Sequence, residues 1–190
     1  MAQTRAPSPE ARLTLFALTA AGTVPATGDH LPAIGFGMKQ YSELVTATES
    51  KVSFLPLKEE TAAGFVQAFL SGPQLFVALT HGSQTPRTTD VPGLYVRSEG
   101  TDNRNRSIMS AEWLVNQLSA SGGERPAVAL LAACSAGAGP RRMGDSGASD
   151  FSGTLLTSGT PAVLTADEQI DERAAIEFVK EFSRALFKER

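Results

Sequence analysis

The sequence predicts an α/β domain whose mostly parallel sheet is flanked by helices on both faces. Short, almost wholly apolar runs of strand length stand at 74–80, 127–133 and 161–165, as expected of strands buried on both sides. Helical patterns alternate with them at 59–70, 111–119, 150–158 and from Asp171 onward. Strand and helix in alternation build parallel sheets.

Taken in order, residues 1–11 are polar with two prolines and are expected to be a loose tail. Residues 12–19 alternate as a strand, and their threonines fit a strand better than the core of a signal peptide. Four glycines and two prolines make 20–38 a loop with short elements. Residues 51–57 read as a short strand ended near Pro56. In the helix at 59–70, Ala62, Phe65, Val66 and Phe69 share one face, and Gly72 and Pro73 stop it. Residues 93–97 read as an antiparallel excursion, and 98–107 as a polar loop. Ser110 is placed to cap the helix at 111–119, with Glu112 in its first turn. The segment 135–149, rich in Gly, Ser and Ala, is a loop. Gly159 closes the helix at 150–158. Asp171 is the N-cap of the last helix, whose apolar face is read as Ala174, Ala175, Phe178, Val179, Phe182 and Leu186.

Composition narrows the function. A chain of 190 residues suits a single domain, 1–190. Net charge is −3 and no basic run exceeds two residues, which argues against a nucleic-acid partner. No apolar run is long enough for a membrane span. The single cysteine forbids an internal disulfide and any zinc site needing two thiolates. A lone thiol suits a reducing compartment, so a cytoplasmic location is expected.

Only two histidines accompany that cysteine. One apolar strand ends in His81-Gly82 and another in Cys134, 53 positions later. Ligands of open parallel sheets sit beyond the carboxyl ends of the strands. A thiol and an imidazole meeting at that edge suit covalent acyl transfer, the thiolate attacking a carbonyl and the imidazole protonating the leaving amine. Gly82, with no side chain, can bring its N–H close to an oxyanion, and the Cys134 N–H is the natural second donor. Ser135 and its small neighbours leave room for an extended peptide. Each residue alone reads as structural, a buried small hydrophobe and a turn histidine. Their coincidence at one edge favours chemistry.

These stretches resemble the CHAT domains, caspase-like modules, and more distantly the separases. The resemblance rests on Leu75-Phe-Val-Ala-Leu-Thr-His-Gly-Ser83, Gly93-Leu-Tyr-Val-Arg97, Met109-Ser-Ala-Glu-Trp-Leu114 and Val128-Ala-Leu-Leu-Ala-Ala-Cys-Ser-Ala-Gly137. Phe151–Val163 and the final helix also fit. It implies a caspase–haemoglobinase fold and a cysteine peptidase that needs no cofactor and no metal. By carry-over His81 is the catalytic histidine, Cys134 the nucleophile and Gly82 an oxyanion contributor. The implied partner is a protein or peptide substrate. Asp145 and Asp150 are candidates to line the pocket for the residue before the cut, favouring Lys or Arg there, although Asp150 also suits the N-cap of the 151–158 helix. The aromatic that commonly precedes the acidic segment after the last strand is missing from Leu164-Thr-Ala-Asp167.

Other motifs lead elsewhere and fail. Gly144-Asp-Ser-Gly147 copies the serine-protease tetrad, but the βαβ pattern contradicts that fold. No Gly-Lys-Ser/Thr closes the Gly-rich stretch 135–147, and no Gly-x-Ser-x-Gly elbow exists. His30 reads as a surface residue. A rival of another class is a module that keeps the fold as a silent scaffold, or that works only with an activating protein partner. Arg104 and Arg106 are candidate self-processing points in the 98–109 loop.

Overall fold

A computed structural model describes residues 11–18, 21–25, 28, 30–35, 43, 52–56, 59–83, 93–100, 104–133, 151–166 and 170–188. Five strands form a wholly parallel sheet: β1 (Ala11–Ala17), β4 (Val52–Pro56), β5 (Leu75–Leu79), β9 (Val128–Ala132) and β10 (Ala162–Thr165). Their order is β10-β9-β5-β1-β4. The chain therefore builds outward from β1 in both directions, to β4 on one side and to β5, β9 and β10 on the other. The point of reversal lies between β1 and β5, where open α/β sheets hold their ligands. Pro56 ends the edge strand β4, where a missing N–H costs least.

Two smaller sheets flank the carboxyl edge. The hairpin β2 (Gly22–Thr23) and β3 (His30–Leu31) follows β1. The antiparallel strands β6 (Gly82–Ser83), β7 (Gly93–Arg97) and β8 (Arg106–Ser110) follow β5. The excursion expected at 93–97 is thus β7. The polar loop expected through 107 is not all loop, because Arg106 and Ser107 already belong to β8, paired with Arg97 and Val96. Arg106 is 1% exposed, which removes it as a self-processing point in the folded chain. Arg104 is exposed.

Helices cover both faces. On one lie α1 (Ala62–Leu70), α2 (Ala111–Ala120) and α3 (Phe151–Thr157), packed on Phe16, Phe76, Ala78, Ala129 and Leu131. Phe65 of α1 meets Phe16 and Phe76 edge-on, at 5.2 and 4.9 Å between ring centres, a favoured aromatic geometry. Thr61 caps α1 by accepting the Gly64 N–H at 3.1 Å, and Gly72 ends it with φ +63°. Ser110 caps α2 by accepting from the Trp113 N–H at 3.1 Å. Gly159, at φ +100°, follows α3.

On the other face α4 (Glu172–Lys188) packs on Leu13, Leu75, Val77, Leu79 and Leu130. Asp171 is its cap: Oδ1 accepts the N–H groups of Arg173 and Ala174 at 3.0 and 3.1 Å. The buried stripe is Ala175, Ile176, Val179, Ser183 and Phe187, with Phe182 and Leu186 at its margin. The helix is turned from the expected face, since Ala174 and Phe178 are exposed. No helix among the described residues is long and apolar enough to cross a membrane.

Candidate active site

His81 follows β5 at the carboxyl edge, one residue past Thr80, and both of its ends are fixed. Its backbone carbonyl accepts the Tyr95 N–H of β7 at 2.9 Å, and the Thr80 hydroxyl donates to the Tyr95 carbonyl. Its ring Nε2 lies 2.9 Å from the carbonyl oxygen of Pro32, just beyond β3. A carbonyl only accepts, so Nε2 carries the proton and Nδ1 is the nitrogen left for other work.

Gly82 pairs with Leu94. The neighbouring Tyr95 to His81 hydrogen bond makes this a non-hydrogen-bonded pair, so the Gly82 N–H is not spent on β7.

Strands β5 and β9 run side by side with a constant offset of 53, from Leu75↔Val128 to Leu79↔Ala132. The ladder persists one step further, the Thr80 N–H reaching the Ala132 carbonyl at 3.4 Å. His81 and Cys134 differ by the same 53 positions. Cys134 itself lies outside the described residues, as do Ser135, Asp145 and Asp150. Of the catalytic and substrate-binding candidates, His81 and Gly82 are therefore the two whose surroundings are described.

Beside His81 the edge opens into a pocket of about 70 Å³, walled by Ile34, Leu79, Ala132, Ile170, Ala175 and Ile176. Glu172, in the first turn of α4, lies at the same pocket and accepts the Gly35 N–H. The segment bearing Pro32 is thereby tied to α4. Among the described residues no three His, Cys, Asp or Glu side chains gather as a metal-binding cluster.

The sequence profile of the CHAT domain family matches residues 15–190. The chain belongs to the CHAT domain family. It has the caspase-like α/β fold of clan CD, a fold often tied to peptidases. No curated protein matches the chain.

Sequence reasoning missed two contributors to this candidate site. Pro32 acts through a main-chain oxygen, which leaves no side-chain signal. Glu172 reads as an ordinary first-turn acid of α4, favourable to the helix dipole, and its reach to Gly35 spans 137 positions.

Proposed function

We propose that this CHAT domain is a cysteine endopeptidase with Cys134 as nucleophile and His81 as general acid/base. The observation that carries the reading is the β5–β9 register: the offset that aligns Leu79 with Ala132 also separates His81 from Cys134. Extension of that offset by two residues supports a meeting of imidazole and thiol at the ligand-binding edge.

With Nε2–H donating to Pro32, the His81 Nδ1 takes the proton from the Cys134 thiol. The thiolate adds to the scissile carbonyl carbon, and the carbonyl π electrons move onto oxygen. The Gly82 and Cys134 N–H groups receive that oxyanion. As the C–N bond breaks, Nδ1–H passes its proton to the departing amine. Water then attacks the thioester, giving its proton to Nδ1, and the thiolate leaves with the acid product released. The Pro32 carbonyl orients the ring throughout, much as the third member of a triad does. Within this reading Ser135 is a proposed contact to the extended peptide, and Asp145 and Asp150 are rivals of the apolar pocket beside His81 in selecting the residue before the cut.

The test compares wild type, Cys134→Ala and His81→Ala on fluorogenic peptides that vary the residue before the cut. Turnover by wild type, lost by about 10³-fold in both variants, is expected. Equal turnover by all three sinks the dyad. Silence from all three, with Cys134 labelled slowly by a thiol probe at mildly acidic pH, shifts the weight to a scaffold. Silence with fast labelling points to partner activation.

A further inference from the structure

Arg106 is the only charged side chain among the described residues that is buried, at 1% exposure. Burial lowers its pKa from the usual arginine range, although the Glu60 carboxylate opposes this. Sequestering a guanidinium is costly unless its donors are used. Its Nη2 donates to the Ala21 carbonyl at 3.2 Å. Around that contact the hairpin is stitched to the start of β8: the Thr23 N–H reaches the Arg104 carbonyl at 2.7 Å, and Thr23 bridges Asn105 in parallel. The fit is close. A Cβ on Gly22 would stand 2.6 Å from the Arg106 Nε and 2.7 Å from its Cγ, so only glycine lets the arginine lie against the strand.

The register of the hairpin gives this contact its meaning. Gly22 pairs with Leu31, so the residues just outside that pair are Ala21 and Pro32. The Ala21 carbonyl is held by Arg106, and the carbonyl of Pro32, the residue next in register on the other strand, holds the His81 ring. We infer that Arg106 is a positioning residue for His81, acting through the hairpin to keep the Pro32 carbonyl on Nε2 and so to fix the ring's tautomer. This rests on the acid/base reading only for its consequence in catalysis. The tautomer itself is measurable whether or not the protein cleaves peptides.

The experiment uses the full chain labelled with ¹⁵N-histidine. Nitrogen shifts report which ring atom of His81 carries the proton. In wild type the His81 Nε2–H form dominates. In Arg106→Met the ratio of Nε2–H to Nδ1–H at His81 falls about threefold or more, as the loss of one hydrogen bond implies. Arg106→Lys recovers part of the ratio. Gly22→Ala, which wedges the hairpin off β8 without removing a charge, repeats the change and decides the matter if Arg106→Met fails to fold. A folded Arg106→Met or Gly22→Ala with the wild-type ratio at His81 overturns the inference and leaves Arg106 a purely structural residue. A falling ratio in Arg106→Met, beside a wild type that shows no turnover, upholds the positioning role while the peptidase reading falls.

Discussion

The Nε2 of His81 sits 2.9 Å from the carbonyl oxygen of Pro32, a residue 49 positions earlier and in the loop after the sheet's first strand. Since the acceptor belongs to the main chain, the proline ring itself is dispensable for it. Pro32→Ala is expected to keep peptidase activity within about threefold of wild type, with a small loss from the freer backbone. Steady-state kcat/KM on the best library peptide checks this. A fall approaching that of His81→Ala would mean that the ring, not the carbonyl, holds the imidazole.

The pocket beside His81 predicts a specificity. Its walls, from Ile34 and Leu79 to Ile176, are almost wholly apolar. An apolar substrate side chain loses little and gains roughly 25 cal/mol for each Å² it buries there. Peptides with Val, Leu or Met before the cut are expected to exceed those with Lys or Arg by about tenfold in kcat/KM, a difference of about 1.4 kcal/mol. Ile34→Ala should widen tolerance toward aromatics. A dominant preference for Lys or Arg, abolished by Asp145→Asn or Asp150→Asn, would assign the selection to those acids instead.

Two adjacent residues of α4 should behave oppositely. Val179 is fully buried against the sheet, and Phe178 is 48% exposed, stacked on Phe182 at 5.9 Å. Val179→Ala is expected to cost about 2 kcal/mol. Phe178→Ser should stay within about 1 kcal/mol. Urea unfolding with unchanged slope reads both. A larger loss at Phe178 would show that its ring is covered in solution.

Capping and site are linked at Asp171. Its carboxylate satisfies two N–H groups at the start of α4, so Asp171→Ala should lower stability by about 1 kcal/mol. The next residue is Glu172, which holds the Gly35 N–H. The amide signals of Ile34 and Gly35 should therefore move in this variant, and those of α2 should not. Stability loss without those movements would separate the cap from the site.

What the sequence revealed follows burial. Strands β5 and β9 are buried on both faces, and a run such as Leu75–Leu79 admits no polar residue, so the pattern was plain. Helix boundaries were legible wherever a hydroxyl or carboxylate capped, as at Ser110 and Asp171. Strand β8 was hidden because its first residue is a buried arginine and its next a serine, which reads as loop. The face of α4 differs from the pattern because Phe178, though apolar, stacks on Phe182 of its own helix and stays half exposed. At the site, His81 and Gly82 stood out through rarity and position. The carbonyl of Pro32 could not, since every residue has one.

The shared offset of 53 between β5 and β9 works like a reading frame. Between the two strands lie a small sheet and a helix, and changes of length in their connecting turns leave the frame intact. A single residue gained or lost within β9 breaks it. Each side chain then moves to the opposite face, so Leu131, packed toward α1 to α3, would exchange surroundings with Leu130, packed toward α4. The same slip takes Cys134 out of step with His81. At this strand, then, selection for a well-packed interior also guards the alignment of the proposed dyad, and variation is free to accumulate in the turns instead.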